Sequence, residues 1–278
     1  MRKINLITDS TSDLSPELLK KHNITVWPLY VNFGENSYRD MIDIDTDTLY
    51  QKVEEYGMLP KTAALSPGQF YEKFEKFNPD EDYIYIGIGS KFSVNYNNAL
   101  SAASEFDNVY VVDSQNLSSG IGLQLLKMAK LRDQGLTVQE IIEEMNKITP
   151  NVSTRFAINT LEYLHKGGRC SGTARFFGTA LSIKPIIKVV DGAMIVSKKP
   201  IGFKRALNTM LQEVDANIDN IDRDAIMVTH SKADDDAKYL ISELKKRGFE
   251  NIHETKASCV ISTHCGPRTI GILFILNN

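Results

Sequence analysis

Tyr83-Ile84-Tyr85-Ile86-Gly87-Ile88-Gly89-Ser90-Lys91-Phe92-Ser93 is the stretch on which the fold turns. Aromatic and β-branched residues predict a strand over Tyr83–Ile88, and glycines with small polar residues follow at its end. A helix is predicted from Ser93 to Phe106, and a further strand over Val109–Asp113. Toward the N-terminus, Ile4–Asp9 reads as a strand and Ile24–Val31 as another. Between them, Ser15-Pro16 opens a short helix, with serine as cap and proline at the first helical position. Helices are also predicted over Asp45–Tyr56, after Ser66-Pro67-Gly68-Gln69, over 120–134 and over 137–149. Strands alternating with helices predict a parallel sheet covered on both faces.

The second half follows a different pattern. Val152–Ile158 reads as a strand, Thr160–His165 as a short helix and Ser171–Ala180 as a further helix. Asp191-Gly192 is a two-residue hairpin turn between Ile186–Val190 and Met194–Ser197. A helix over Phe203–Asn217, a strand over Ala225–Thr229, a helix over Asp234–Lys246 and a strand over Asn251–Thr255 come next. The chain ends on apolar runs at Val260-Ile261 and Gly271–Leu276. The expected class is therefore α/β with two domains. Residues 1–150 form a Rossmann-like parallel sheet with helices on both faces, and residues 151–278 an α/β domain with a mixed sheet.

Composition narrows the function. The chain has 278 residues, 42% of them hydrophobic and 24% charged, enough to bury a sizeable core. The net charge of −3 excludes the broad basic footprint of a general nucleic-acid binder. No stretch approaches the ~20 apolar residues of a membrane helix. The opening Met1-Arg2-Lys3-Ile4-Asn5 lacks a signal-peptide pattern, and the three cysteines contain no CxxC pair. A cytoplasmic location without structural disulfides or a metal site is the expectation. The chain contains no P-loop, GxGxxG, GxSxG or HExxH motif.

In open parallel sheets, ligands sit at the carboxyl ends of the strands. There the sequence supplies Thr8–Asp13, Ser90–Ser93, Asp113-Ser114 and the Ser118-Ser119-Gly120 helix start, with Thr62 in the loop before the Ser66 helix. These residues read either as turns and caps or as an anion site. A hydrolase using Ser93, with His264 and Asp113 completing a paper triad, is one enzyme reading. A phosphate-handling transferase built on Thr8–Asp13 is another. Gly167-Gly168-Arg169 and His264-Cys265-Gly266-Pro267-Arg268 set polar side chains beside tight turns. Lys198–Arg205 is a local basic stretch that suits either a solvated turn or an acidic partner.

Six motifs fall in one order along nearly the whole chain: Thr8–Leu14, Thr62–Pro67, Ser90-x-Phe92-Ser93, Val112-Asp113-Ser114, Leu161-x-Tyr163-Leu164-x-Lys166-Gly167-Gly168-Arg169 and His264-x-Gly266-Pro267. Together they resemble the DegV family. The resemblance implies a two-domain α/β protein that binds a long-chain fatty acid and has no catalytic residues of its own. For the FakB-type members it implies the substrate-carrying subunit of a bacterial fatty acid kinase, feeding acyl phosphate into phospholipid synthesis. The partner subunit would bind ATP and magnesium, and lipid exchange would involve transient membrane contact. By the resemblance, Thr62, Ser93 and His264 hold the carboxylate, with Arg169, Asn95, Arg268 and Ser119 in the head-group neighbourhood. Val94-Asn95 stands where the family has Gly-Thr, and Arg268 where it has Gly. Phe156, Ile158, Phe177, Leu181 and Ile187 are candidates for the acyl tunnel, and Lys204 and Arg205 for partner docking.

Overall fold

The computed structural model describes residues 2–169 and 182–277. The strands are β1 (Ile4–Asp9), β2 (Ile24–Trp27), β3 (Tyr30–Phe33), β4 (Asn36–Arg39), β5 (Lys61–Ala63), β6 (Asp82–Gly87), β7 (Val109–Asp113), β8 (Val152–Ala157), β9 (Ile186–Val190), β10 (Ala193–Lys198), β11 (Ile221–Ser231), β12 (Ile252–Lys256) and β13 (Thr269–Leu276). The helices are α1 (Pro16–Lys21), α2 (Thr46–Tyr56), α3 (Pro67–Phe74), α4 (Asn95–Ala103), α5 (Ser119–Asp133), α6 (Val138–Ile148), α7 (Glu162–Gly167), α8 (Phe203–Asp215), α9 (Asp234–Lys246) and α10 (Cys259–Cys265).

The first half builds a four-stranded parallel sheet in the order β2-β1-β6-β7. The second half builds a six-stranded mixed sheet, β10-β9-β8-β13-β11-β12, in which β11 and β12 are parallel and the other pairs antiparallel. Local chemistry sets the elements as the sequence predicts. Ser15 caps α1 ahead of Pro16, and Ser66 with Gln69 forms a capping box at α3. Asp191 and Gly192 both take positive φ, +48° and +71°, as the β9–β10 hairpin turn requires.

Two expectations need correction. Ile24–Val31 is not one strand. Pro28-Leu29 breaks it, and β3 leaves the parallel sheet to pair antiparallel with β4 and β5 in a separate three-stranded sheet. Val260-Ile261 is helical rather than extended. Ser258 caps α10 by accepting from the Ile261 N–H, and the β-branched run folds into that helix. The helix expected over Ser171–Ala180 lies outside the described residues.

Helix α5 lies between the two large sheets. Ile121, Leu125, Met128 and Ala129 pack into one core with Leu6, Ile84 and Ile86 from the parallel sheet and Met227, Leu273 and Ile275 from the mixed sheet. The first two turns of α5, Ser119–Leu125, are buried on every side, as such a position demands. Its glycines allow the close approach: a Cβ on Gly120 would meet Asn116 Oδ1 at 2.2 Å.

Candidate functional site

The carboxyl edge of the parallel sheet faces the start of α10. Thr62 lies on β5, a three-residue edge strand paired opposite Val31. Ser93 lies in the turn between β6 and α4, where its N–H reaches the Gly89 carbonyl and its Oγ accepts from the Asn95 N–H. Arg169 follows α7, which Gly168 ends in the left-handed conformation at φ +65°. His264 sits in the last turn of α10. Its ring lies so close to Gly167 that a Cβ there would meet Nδ1 at 2.4 Å.

Thr62 Oγ1 and His264 Nε2 are 2.9 Å apart, across 202 positions of sequence. His264 Nδ1 is buried without a partner. Burial, followed by the nearby Arg169 charge, holds the His264 pKa down to about 4. The ring is therefore neutral near pH 7. In the tautomer with the proton on Nε2, His264 donates to Thr62, and the Thr62 hydroxyl proton is left to point elsewhere.

A cavity of about 340 Å³ is lined by Thr62, Ser93, Lys91, Arg169 and His264 together with apolar side chains from both halves. Leu117, Met194, Ile261 and His264 also line a second space of about 60 Å³ that runs between α5, α10 and the mixed sheet. The two adjoin across these four shared residues, as an outer and an inner limb. The inner limb contains hydroxyls, but each is already bonded. Ser118 donates to Asp13 at 2.5 Å, Thr154 to Asn116 at 2.7 Å and Thr269 to the Cys265 carbonyl at 2.9 Å. Thr229 pairs with Thr255 and Ser231 with Tyr50, both at 2.7 Å. The inner limb therefore presents an apolar surface, while the outer end carries Ser93, whose hydroxyl accepts from the Asn95 N–H and keeps its own proton, and the Lys91 and Arg169 cations, which retain further N–H groups after bonding the Asp191 and Gly167 carbonyls.

The other sequence candidates divide. Phe156 lines the inner limb. Ile158 and Ile187 are buried in the surrounding core and line neither limb. Phe177 and Leu181 lie outside the described residues. Asn95 is fully buried behind the groove, bonded to Asp9, Tyr85 and Leu65 rather than facing the cavity. Ser119 is buried at the start of α5 against Thr229. Arg268 points away from the groove, ion-paired with Asp236 at 3.1 Å and stacked over Phe203. Its φ of +56° lies in the region that favours glycine. Lys204 and Arg205 are exposed in the first turn of α8. The apolar lining from Leu29, Ile88, Leu117 and Met194 was not foreseen. Core and lining residues share one composition, so only the fold separates them.

The enzyme readings find no geometry. His264 is bonded to Thr62, and Asp113 accepts from the Ser90 N–H and Oγ at 3.0 and 2.6 Å, so Ser93, His264 and Asp113 form no relay. In the Thr8–Asp13 loop, Asp9 accepts from Thr11, Tyr85, Ile88 and Asn95, and Asp13 from Ser118 and Ser258. Burial pushes Asp13 up to about 8 and raises Asp9 as well. A loop built around two buried acids does not receive a phosphate. Among the described residues, no group of three His, Cys, Asp or Glu side chains is arranged to hold a metal.

Comparison with known proteins fits this geometry. A family model described as "Uncharacterised protein, DegV family" matches residues 3–277. The chain belongs to the DegV family. A DegV domain-containing protein of Clostridium perfringens is 33% identical over 279 residues, covering 99% of each chain. A DegV family protein of Thermus thermophilus, whose structure is described in terms of fatty acid binding, superposes with a TM-score of 0.90 at 31% identity, covering 99% of this chain and 100% of its own. DegV of Bacillus subtilis, described as a fatty acid binding protein, gives a TM-score of 0.89 at 27% identity over 100% of both chains.

Proposed function

We propose that this protein is a cytoplasmic carrier that encloses a long-chain fatty acid and holds its carboxylate at Thr62, Ser93 and His264. One observation carries the proposal: the groove gathers Ser93 and the Lys91 and Arg169 cations at one end and apolar side chains with internally bonded hydroxyls at the other. That polarity matches a molecule with one anionic head and a long apolar tail. The fatty acid binding described for the Thermus thermophilus and Bacillus subtilis relatives supports the same reading.

A buried carboxylate needs hydrogen-bond donors, or it protonates. The Thr62 hydroxyl, freed by donation from His264, and the Ser93 hydroxyl supply donors, and Arg169 supplies positive charge. The site holds an acid without attacking it. In this proposal the carrier then presents the carboxylate to the ATP- and magnesium-binding subunit of a fatty acid kinase. Lys204, Arg205 and the 61%-exposed Ile201 beside them would form the docking surface.

The test is mass spectrometry of the purified, denatured protein. Co-purified long-chain fatty acid is the expected result. Absence of lipid, combined with failure to bind added palmitate or oleate, overturns the proposal.

A further inference from the structure

Asn95 is the first residue of α4 and is completely buried. Its side-chain oxygen accepts from the Leu65 N–H at 3.1 Å. Its side-chain nitrogen donates to Asp9 Oδ2 at 3.0 Å and to Tyr85 Oη at 2.7 Å. Its own N–H donates to Ser93 Oγ at 3.2 Å. One turn later, Asn98 donates from its side chain to the Leu65 carbonyl at 2.7 Å. Both main-chain groups of Leu65, three residues after Thr62, are therefore gripped by the helix that follows the Ser93 turn.

The grip matters because β5 has little else to hold it. It is three residues long and pairs with one neighbour, β3. The anchor at the other end is firm. Asp9 closes β1, and its second oxygen takes the N–H and hydroxyl of Thr11. Gly87 makes room for that carboxylate, since a Cβ there would lie 2.2 Å from Asp9 Oδ2.

The chemistry selects an amide at position 95. The side chain must accept from an N–H on one side and donate to a carboxylate on the other. A carboxylate at 95 would face Asp9, and a hydroxyl is too short to bridge both. The partners also fix which end of the amide is oxygen and which nitrogen.

We infer that Asn95 and Asn98 are positioning residues that set the spacing of Thr62 and Ser93, and so give the groove its preference for a free carboxylate over an uncharged ester. The inference rests on the proposed carboxylate site. Neither asparagine lines the groove; both act through Leu65 and the Ser93 turn.

The experiment compares affinities for palmitate and methyl palmitate, by displacement of a fluorescent fatty acid, in the wild type, Asn98→Ala and Asn95→Ala. A melting curve is recorded for each. Asn98 is only partly buried, so Asn98→Ala folds even if Asn95→Ala does not. The expected result is a fall in the acid-to-ester preference of roughly two- to tenfold in Asn98→Ala, the worth of one neutral hydrogen bond. Ester affinity stays within about twofold, since the chain contacts are untouched. A role in stability alone would lower both affinities together and leave the ratio unchanged. If the wild type prefers the acid and Asn98→Ala keeps the full preference, this inference is overturned and the carboxylate site stands. If the wild type shows no preference for the acid, the carboxylate site falls and the inference with it.

Discussion

Thr62→Val is the most decisive single change. It removes the hydroxyl but keeps the branched shape that suits β5. Two ledgers bear on the outcome. An acyl chain of about fourteen methylenes gains roughly 11 kcal/mol on full burial, at ~0.8 kcal/mol per CH₂. Part of that is lost to immobilisation, but the tail still dominates affinity. A hydrogen bond to a charged carboxylate contributes about 1.5–3 kcal/mol. At about 1.4 kcal/mol per tenfold, its loss weakens palmitate binding by roughly 10- to 150-fold. Binding persists, because the tail and the donors at Ser93 and Arg169 remain.

The assay is isothermal titration calorimetry with palmitate delivered from cyclodextrin, for wild type and Thr62→Val. The reasoning is refuted from either side. Affinity unchanged within about twofold would mean that the Thr62 hydroxyl does not meet the carboxylate. Complete loss of binding in a folded variant would mean that the head group, rather than the tail, carries most of the affinity. The variant also leaves His264 Nε2 without its Thr62 partner, next to an Nδ1 already unpartnered. A lower melting temperature in the empty protein is therefore expected, by about 1–3 kcal/mol of stability for a buried polar group left unsatisfied.

His264 gives a pH signature. Its folded pKa, about 4, lies below the ordinary 6.5. The unfolded chain thus binds more protons between these values, and the His264 contribution to stability is lost as pH falls from 6.5 toward 4. In His264→Gln that contribution is gone, so the wild-type-minus-variant difference in melting temperature should shrink over this window; a constant difference would contradict a neutral buried ring. Gly167→Ala should force the His264 ring off Thr62, because the new Cβ would lie 2.4 Å from Nδ1. A loss of about 1–3 kcal/mol from overpacking, together with weaker palmitate binding, is expected by denaturant melts and calorimetry, and wild-type values in both would refute the contact. Lys204→Glu with Arg205→Glu should lower acyl phosphate formation by a fatty acid kinase subunit while palmitate affinity stays at the wild-type level; unchanged turnover would exclude that surface.

Elements set by local chemistry were legible from the residues. Ser15-Pro16, the Ser66–Gln69 box and Asp191-Gly192 each fix a few φ angles or cap a few N–H groups, whatever the rest of the chain does. Elements decided by distant partners were not. Val260-Ile261 has strand composition, yet it enters a helix because Asp40 accepts from the Cys259 and Val260 N–H groups and Asp13 from that of Ser258, more than two hundred positions away. The site shows the same split. Thr62 and His264 came from ordered motifs and meet at 2.9 Å. Asn95 was placed near the head group, but its bonds run to Asp9, Tyr85 and Leu65 and form a clamp that no local pattern reveals.

The same buried acids bear on where an anion can bind. The carboxyl edge of a parallel sheet offers a ligand more than one loop. Here the β1 loop is occupied by its own carboxylates: Asp9 takes the Ile88 N–H, and Asp13 takes the Ser258 N–H at the entrance to α10. Asp40 fills the remaining place against Cys259 and Val260. The donors that would otherwise make this loop an anion cradle are thus satisfied from within. What remains at the edge is the side bounded by Thr62, Ser93, Arg169 and His264, where Ser93 and the Lys91 and Arg169 cations lie. The acids that fasten α10 to the first half carry His264 to Thr62 and occupy the alternative loop, so one set of bonds both builds the proposed carboxylate pocket and leaves it as the open place on that edge.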